Sequence, residues 1–551
     1  MQGTTTLDAP TSLRPKGMIT RARVAVAVCV LLVVILAAVA LSTEDGGKAS
    51  SAKTRGKGTI SSLPLGTSKP RNLVVALADE RYARVAWTTH DAAGTIVRFG
   101  ADPDDLSDTS TGTIDSYKCD SPSCGGPGYH SGYVHVAKIG PLQVNQNVYY
   151  QVGSGSNGTS SVQRFFVPAA TAPAADDEPV TLALIGDVGQ TEHSNLTYHR
   201  VAAMKPHAII DAGDLSYADC VQPRWDTYAD MVEHLSQKTP WHSVAGNHEI
   251  EGCGNSMGGE FVPYKVRRAR AMPFAESGSS DPLYYSFDVA GVHFVMLSSY
   301  SDYSKDSAQH AWLRRDLSRV DRVRTPFVVV VLHAPWYQTN SAHKGEGDAM
   351  KASMEGVLLE YGVHMVVAGH VHAYERVHAV SSGAVLNQTC GIQYVVVGDG
   401  GNREGLYPFP NADAAPEWSA YREAAYGHGC LKVFNSTHAQ FQWHRGADAA
   451  TATPADESWL ISKGRDACVT GEVAPQNSRD GGDSRVIHPH SGTYGDGNGG
   501  SQLGVVLFGL LGIVGALVGA YAYYLHRNSP SSRSYSKFDN ELSTLGDDEG
   551  I

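Results

Sequence analysis

The sequence contains no long run of basic residues, and charged residues of either sign make up only 18% of its 551 positions. Lysine and arginine number 44 against 56 aspartates and glutamates, which gives a formal net charge of −12. A protein that binds nucleic acid normally presents a basic stripe or patch to the phosphate backbone. The composition therefore argues against nucleic acid as a partner, while a hydrophobic content of 42% is sufficient for packed cores.

Long uncharged runs made up mainly of apolar residues are also rare, and two stand out. Val24–Leu41 follows several basic residues, so we expect residues 1–42 to be a cytosolic basic segment with a signal peptide or an uncleaved signal anchor. Leu503–Leu525 has 23 residues, which at 1.5 Å per residue make about 34 Å of helix and predict a transmembrane span. Residues 466–502, rich in Gly, Ser, Asp and Asn, would form a flexible stalk, and residues 526–551 a cytosolic tail.

These segments predict a single-pass membrane protein, or a two-pass one if the first run is retained, with residues of about 43 to 502 outside the cytosol. That region would be extracellular or lumenal, at the cell surface or in an endosome, lysosome or vacuole. A GPI signal fits less well, because 26 residues follow the second run. In the tail, Tyr535–Phe538 resembles a tyrosine-based signal for sorting adaptors. Four Asn-x-Thr sequons predict glycosylation at Asn157, Asn195, Asn387 and Asn435.

Seven cysteines lie in this exoplasmic stretch, an odd number that predicts three disulfides and one free thiol. They are Cys119, Cys124, Cys220, Cys253, Cys390, Cys430 and Cys468. Cys220 and Cys253 each follow a polar motif described below by a few residues. A bridge between these two would brace adjacent loops of a site, and this is the one pairing we predict.

The chain divides into two folded regions by the pattern of its apolar residues. Residues 70–168 are short apolar runs separated by Gly, Asp, Asn and Pro, which predicts a β-sandwich of fibronectin-III-like type. An Ala- and Pro-rich linker, Ala169–Pro179, follows. In residues 179–465, strand-like runs alternate with helix-like segments such as Pro223–Gln237 and Ala308–Val320. The predicted fold class is therefore α+β/α/β: a β-sandwich, then a layered β-sheet and helix domain, then a transmembrane helix.

Five strand-like runs of the second region end in polar motifs. They are Gly186-Asp187-Val188-Gly189, Gly213-Asp214-Leu215-Ser216-Tyr217, Gly246-Asn247-His248-Glu249, Val330-Val331-Leu332-His333 and Gly369-His370-Val371-His372. In layered α/β domains, ligands gather at the carboxyl ends of the strands, where all five motifs place their polar residues.

The motifs offer seven oxygen and nitrogen donors: Asp187, Asp214, Tyr217, Asn247, His333, His370 and His372. This number is too large for one open catalytic ion but suits two ions that share a bridging carboxylate. Mixed carboxylate, imidazole and phenolate ligands favour Fe(III) with a divalent partner such as Zn, Fe or Mn. A pair of ions at this spacing orients a phosphate group for in-line displacement.

The five motifs resemble those of the purple acid phosphatases, a family of calcineurin-like metallophosphoesterases, and the resemblance covers roughly residues 70 to 463. The family pattern GDxG, GDxxY, GNH(E/D), VxxH and GHxH implies Fe(III) ligands from one set of residues and divalent ligands from another. Carried over, the iron ligands are Asp187, Tyr217 and His372, the divalent ligands are Asn247, His333 and His370, and Asp214 bridges the ions.

The same resemblance implies that His248 and His343 lie on the substrate side, where they would hold phosphate or protonate the leaving alkoxide. Plant members usually carry two adjacent histidines at the second position, and this chain has Ala342 at the first of them. Glu346 is predicted to be a solvated loop residue or to shape the pocket. Residues 398–401 (Gly-Asp-Gly-Gly) do not complete a phosphate-loop pattern, so we interpret them as a tight turn.

The implied function is that of an acid phosphatase that hydrolyses phosphomonoesters with a metal-bound hydroxide at a dinuclear Fe(III)–M(II) centre. Three alternatives remain open at this level: a phosphodiesterase or nucleotide pyrophosphatase, a catalytically silent surface receptor, and a metal-storing or redox iron protein. The intact set of seven donors disfavours the receptor, and His248 beside them disfavours storage. The β-sandwich is expected to be structural and to contribute to contacts in a homodimer.

Overall fold

The computed structural model describes residues 69–125, 128–154, 158–410, 415–449 and 452–462, all within the first of two compact units, Met1–Ala474. Several predictions fall outside these residues and are not addressed by the structure. They concern residues 1–42, the stalk over residues 466–502, Leu503–Leu525, the tail with Tyr535–Phe538, Asn157 and Cys468.

An N-terminal β domain is built from short strands connected by turns, as the sequence predicts. Its strands are β1 (Arg71–Asp79), β2 (Tyr82–Thr89), β3 (Ile96–Gly100), β4 (Asp108–Asp115), β5 (Lys118–Cys119), β6 (Tyr129–His130), β7 (Tyr133–Ile139), β8 (Gln146–Ser154), β9 (Gly158–Thr159) and β10 (Gln163–Val167). The order along the main sheet is β1-β2-β7-β4-β3-β8-β10, with every pair antiparallel. Strand β4 pairs with β3 through its first half and with β7 through its second half, so it joins the two halves of the domain.

Strand β1 is buried on both faces and fixes the β domain to the rest of the chain. Alternate side chains point to opposite faces of a strand. Leu73 and Val75 belong to the core of the β domain, whereas Val74 and Ala76 belong to the core of the following region. The β domain is therefore an integral layer of the molecule and shares its apolar core.

The second region contains two sheets that face each other, with helices outside. The first sheet has the order β13-β12-β11-β22-β23-β24, and the second has β14-β15-β16-β17-β20-β18-β19 with β21 beside β18. The strands are β11 (Val180–Ile185), β12 (Ala208–Asp211), β13 (Trp241–Ser243), β14 (Tyr285–Val289), β15 (Val292–Met296), β16 (Phe327–Val331), β17 (Met365–Ala368), β18 (Tyr374–Ser381), β19 (Ala384–Val385), β20 (Ile392–Val397), β21 (Ser419–Glu423), β22 (Gly427–Val433), β23 (His438–Arg445) and β24 (Asp456–Ile461).

Five helices cover or connect these sheets: α1 (Glu192–Met204), α2 (Pro223–Ser236), α3 (Val262–Arg267), α4 (Ala308–Ser318) and α5 (Asp348–Glu360). Short 3₁₀ turns lie at Pro122–Cys124, Asn247–Glu249, Cys253–Asn255 and Ala269–Ala271. The helices predicted near 223 and 308 are confirmed, each ending one or two residues earlier than the apolar spacing indicates. Helix α1 begins at a capping box in which Thr191 and Ser194 satisfy each other's backbone N–H groups.

Side chains alternate between the two faces of each strand, so each sheet packs against the other sheet on one face and against helices on the other. The result is four layers in the order helix, sheet, sheet, helix. Leu184 of β11 and Val329 of β16 meet in the core between the sheets, while Ile185 packs with α1 and α2, and Val330 with α4 and α5. Strands β11, β12 and β13 are parallel, and so are β15, β16, β17 and β20. Their carboxyl ends meet along one edge of the two-sheet core, which is where the polar motifs lie.

The prediction of a single-pass membrane protein is corrected here. Among the residues that the structure describes, no helix is both long enough and apolar enough to cross a membrane. The longest of these helices, α2, has 14 residues and carries charged and polar side chains on its exposed face. That length is too short for the roughly 20 apolar residues that a membrane span requires.

The structure confirms the predicted bridge between Cys220 and Cys253 and adds a second between Cys119 and Cys124. Cys430 is a buried thiol whose pKa is raised to about 11 by burial, so it is inert as a nucleophile. The predicted total of three bridges stays a prediction, because Cys468 lies outside the described residues.

Candidate metal centre

The five motifs converge because each follows the carboxyl end of a strand within a few residues. Asp187 follows β11, Asp214 follows β12, Asn247 follows β13, His333 follows β16 and His370 follows β17. Three of these residues adopt the left-handed conformation, with φ of 54° at Asp187, 56° at Asp214 and 69° at His370. Non-glycine residues rarely occupy this region, and such outliers concentrate at functional sites. The chain therefore turns sharply at each strand end and brings these side chains to one point.

Glycines in the motifs leave room for the carboxylates. A Cβ added at Gly246 would lie 2.0 Å from Asp214 Oδ1, and one at Gly369 would lie 2.2 Å from Asp187 Oδ2. Each glycine thus admits the carboxylate of a neighbouring motif. In Gly246-Asn247 and Gly369-His370, a residue larger than glycine at the first position would collide with the carboxylate of another motif.

A first group of donors contains Asp187, Tyr217 and His372. The Tyr217 hydroxyl lies 3.4 Å from Asp187 Oδ1 and 3.2 Å from His372 Nε2, and this Nε2 is 3.5 Å from the same carboxylate oxygen. The other ring nitrogen of His372 donates to the Gly405 carbonyl at 3.1 Å, which directs Nε2 toward the group. A carbonyl partner on the far nitrogen is the usual way to orient a metal-binding imidazole.

A second group contains Asp214, Asn247 and His333, with His370 beside it. His333 Nε2 lies 3.1 Å from both Asp214 Oδ2 and Asn247 Oδ1, while its Nδ1 donates to the Ala212 carbonyl at 2.7 Å. The ring of His370 is centred 4.9 Å from that of His333. The ligand atoms of Asp214, His333 and His370 all lie within 4.8 Å of one another, close enough to hold one ion.

The two groups are joined through Asp187, whose carboxylate accepts the His370 backbone N–H at 2.9 Å and 2.8 Å. His370 and His372 thus lie in one loop but serve different groups. The sequence motif alone predicts two histidines at a site, and the bend between them separates their rings.

For Asp214 and His333, burial disfavours the charged form of the side chain, while neighbouring groups of opposite charge favour it. Burial opposes ionisation of Asp214, but the adjacent His333 and then His248 outweigh it and lower its pKa. Burial likewise disfavours charge on His333, yet the carboxylates of Asp214 and Asp187 raise its pKa to about 10. The pKa of Tyr217 is raised well above its usual value by burial and by the same carboxylates. The residues therefore form an anionic, dry cluster that favours a cation.

His248 lies at the mouth of the centre beside both groups. Its backbone N–H donates to Asp214 Oδ1 at 2.9 Å, and its ring is centred 4.2 Å from the ring of Tyr217. Asp219 accepts a hydrogen bond at Nδ1, which leaves Nε2 directed toward Glu404 Oε1 at 3.5 Å. Only 13% of the His248 side chain is exposed, so the surrounding residues hold the ring in place and leave one edge free to contact a bound group.

His343 lies on the opposite side, with its ring centred 3.8 Å from that of His370. Its Nδ1 is 3.0 Å from Glu346 Oε1, and the second oxygen of Glu346 is 2.7 Å from His370 Nε2. The ligand atoms of His343, Glu346 and His370 also lie within 4.8 Å of one another, close enough to hold a cation. Glu346 therefore contacts two histidines of the centre while about half of its side chain remains exposed to solvent, so both parts of the prediction for this residue describe it.

Several residues that support the metal centre were not identified from the sequence. Glu249 accepts backbone N–H bonds from Gly246, Asp214 and Leu215 at 2.8 Å, 2.9 Å and 2.9 Å, and so ties the second motif to the third. The sequence signal for this role was its position in Gly-Asn-His-Glu, directly after two candidate site residues. A carboxylate that is buried at such a position needs hydrogen-bond donors, and the backbone can supply them.

Residues 398–407 do more than form the predicted tight turn. Asn402 donates both its backbone and side-chain N–H groups to the Asp187 carbonyl, at 3.2 Å and 3.0 Å. Tyr407 stacks on His372 with ring centres 4.4 Å apart. The segment holds the first donor group in place from the side remote from the sheets.

The predicted glycosylation positions fall on the surface where they are described. Asn195 is exposed on α1, and Asn387 and Asn435 are half-buried in the β19–β20 connection and the β22–β23 turn. N-glycosylation at these positions stays a prediction.

Comparison with known proteins identifies three family models along the chain. Residues 70–166 match the purple acid phosphatase N-terminal domain, residues 180–374 the calcineurin-like phosphoesterases, and residues 391–453 the iron/zinc purple acid phosphatase-like protein C.

Individual relatives give the same picture. Purple acid phosphatase 18 of Arabidopsis thaliana is 41% identical over 414 residues, which cover 75% of this chain and 89% of that protein. The Fe(3+)-Zn(2+) purple acid phosphatase 12 of the same plant is 39% identical and covers 61% and 73%. In fold, the chain is similar to the purple acid phosphatase PPD1 from yellow lupin seeds, with a TM-score of 0.64 at 20% identity and coverage of 75% and 78%.

Proposed function

Because this chain belongs to the purple acid phosphatase family, we propose that its centre binds Fe(III) and a divalent ion and hydrolyses phosphomonoesters at acidic pH. As a member, the chain is a dinuclear metallophosphoesterase with acid phosphatase activity. The observation that carries the assignment of residues is the convergence of all seven donors into two contacting groups at one strand edge.

In this proposal, the first donor group binds iron and the second binds the divalent ion. Asp187, Tyr217 and His372 would hold Fe(III). Asn247, His333 and His370 would hold the divalent ion, which is zinc in the protein named Fe(3+)-Zn(2+) purple acid phosphatase 12. Asp214 would bridge the ions, since its Oδ2 already faces His333 and its negative charge contributes to the raised pKa of Tyr217.

The donors fit such a pair of ions chemically. Two carboxylates and a phenolate are hard anionic ligands suited to Fe(III), and imidazole with an amide oxygen suits zinc. Without a cation, burial and carboxylate charge keep the Tyr217 phenol protonated, because both raise its pKa. A phenolate at this position therefore requires a strongly charged ion beside it.

When bound, the ions supply Lewis acidity and lower the pKa of a coordinated water, which makes hydroxide available at low pH. The chain's own residues orient the ester around them. His248 Nε2, fixed by the Asp219 contact at Nδ1, is placed to donate to a phosphate oxygen or to protonate the leaving alkoxide. His343, held by Glu346, reaches the same space from the divalent side.

Metal analysis and colour test the proposal directly. The purified protein should contain iron and one divalent ion, should absorb visible light through phenolate-to-iron charge transfer, and should hydrolyse p-nitrophenyl phosphate at acidic pH. His333→Ala should lose the divalent ion and at least about 100-fold in activity. His199→Ala, an exposed histidine on α1, is the matched control and should match the wild type. A colourless protein with one ion or none, inert toward every phosphate ester, would contradict the proposal.

Rates on monoester and diester substrates, measured side by side, distinguish this function from that of a phosphodiesterase or nucleotide pyrophosphatase. Chain division at 70–168 and 179–465, the fibronectin-III type of the β domain and a homodimer contact are further parts of this proposal. The strand order of the β domain supports the first two of these parts.

A further inference from the structure

Two consecutive arginines at the end of α3 meet very different surroundings. Both lie between the catalytic region and the β domain, and both are buried, with exposures of 8% for Arg267 and 3% for Arg268. Arg267 is fully partnered: its Nε donates to the Tyr117 hydroxyl at 2.9 Å, and its Nη2 donates to Asp226 at 2.9 Å and to the Tyr129 hydroxyl. This network joins the β domain to α2.

Arg268 has no such partners. Its Nε and Nη2 are buried and make no hydrogen bond, and it forms no ion pair with any residue in the described part of the chain. Its guanidinium lies over the Trp241 ring, with Cζ 5.2 Å from the ring centre. A cation–π contact offsets only part of the free-energy cost of burying a charge, so a guanidinium with no further partner destabilises the fold.

The nearby carboxylate of Asp211 does not supply the missing hydrogen bonds. Its two oxygens accept the Gly213 backbone N–H and the Trp241 indole N–H, each at 3.2 Å. Burial raises the pKa of Asp211 to about 7, against the opposing effect of Arg268. Both Asp211 oxygens are thus occupied by other donors, and neither accepts a hydrogen bond from Arg268 Nε or Nη2.

A cavity of about 30 Å³ adjoins Arg268. Its walls come from both sides of the domain interface and include Asn72 and Thr88 of the β domain, and Trp225 and Tyr228 of α2. Asn72 Oδ1 is also buried without a hydrogen-bond partner. A water or small ion needs about 10–15 Å³ of such volume. The cavity therefore has room for one monatomic ion and one water.

We propose that this cavity binds a single small anion of chloride size, held by Nε and Nη2 of Arg268. The donors that lack partners match an anion, because guanidinium N–H groups are positively charged and can only donate. Asn72 Oδ1 is an acceptor, so it marks the position of the accompanying water.

Such an ion would stabilise the docking of the β domain on α2. The interface around the cavity already has polar contacts: Asn72 Nδ2 donates to Asp230 at 2.8 Å, and the Leu73 N–H donates to Glu233 at 3.2 Å. These contacts add negative charge on α2 outside the cavity but none inside it. An anion beside Arg268 would neutralise the remaining buried charge at the centre of the interface.

Bromide provides the structural test, because it replaces chloride and scatters anomalously. Crystals of the wild-type protein soaked in sodium bromide should show an anomalous peak within hydrogen-bonding distance of Arg268 Nε and Nη2. Only water in the cavity, or no density, would overturn the proposal.

Thermal melts provide the solution test. At constant ionic strength, replacing sodium gluconate by sodium chloride should raise the Tm of the wild type by about 2–4 °C, since a ligand that binds only the folded state stabilises it. Arg268→Met should abolish this difference, whereas Arg268→Lys should retain part of it. Arg164→Met removes an exposed arginine of the β domain and should leave the chloride effect unchanged. Equal wild-type Tm values in the two salts would refute the site even if Arg268→Met failed to fold.

Discussion

Replacing Gly246 by alanine should disable the metal centre although no donor residue is substituted. The backbone at Gly246 has φ of −94° and ψ of −172°, which any residue can adopt. The obstacle is space, because the new Cβ would lie 2.0 Å from Oδ1 and 2.7 Å from Cγ of Asp214. Non-bonded heavy atoms pack best at about 3.5 Å, so the carboxylate must move by about 1 Å or more.

This movement reaches the proposed bridging position directly. It would break the bond from the His248 N–H to Asp214 Oδ1, now 2.9 Å, and shift Oδ2 from His333 Nε2, now 3.1 Å. A misplacement of about 1 Å in a catalytic centre costs on the order of 100-fold in rate. We therefore expect the activity of Gly246→Ala on p-nitrophenyl phosphate to fall by at least about 100-fold. Metal analysis should show a reduced content of the divalent ion.

Gly356→Ala is the matched control. Gly356 lies in α5 with no atom within 4 Å of an added Cβ. Alanine is favoured over glycine inside a helix by about 0.5–1 kcal/mol, so this variant should keep full activity with an unchanged or slightly higher Tm. A Gly246→Ala protein with two metal ions per chain and wild-type activity would refute the reasoning.

Three further predictions test other parts of the structure. Tyr217→Phe should remove the visible absorption band while the circular dichroism spectrum stays that of a folded protein; a retained band would exclude Tyr217 as the iron ligand. Cys253→Ser should lower activity by loosening the loop that ends at Cys220 and carries Asp219, with KM and kcat compared before and after reduction of the wild type; no change in either case would exclude a bracing role. Burial disfavours charge on His293, but two aspartates outweigh it and raise its pKa to about 9, so the stability from this pair is complete below pH ~6.5 and is lost as pH rises through about 9. His293→Gln should flatten the Tm-versus-pH curve over that interval, and an unchanged curve would contradict this linkage.

Much of the site could be predicted because each ligand motif is local. A strand ends, a glycine permits the turn, and the next side chain is a donor, so Asp187, Asp214, Asn247 and His370 are identifiable without the fold. The resemblance to a family then divided the donors between two ions. The structure brings the same residues together in two contacting groups.

Other features depend on contacts between distant segments, so no local pattern reveals them. Glu346 was ambiguous because its role requires His343 and His370 to approach it from two loops. The predicted membrane protein is corrected by the absence of a spanning helix among the described residues. The layered domain was expected, but the pairing of two facing sheets follows from which strands become neighbours.

By itself, the sequence determined which chemical groups stand at the ends of five strands and in what order, because strand, turn and ligand are adjacent along the chain. It also determined the bridge between Cys220 and Cys253, whose positions beside two motifs make them neighbours. Only the tertiary structure decided that β1 buries both of its faces, that Glu249 joins two motifs through backbone N–H groups, and that Arg268 is buried without a partner. Burial and hydrogen-bond satisfaction are properties of packed surroundings, and those surroundings come from residues far away in the sequence.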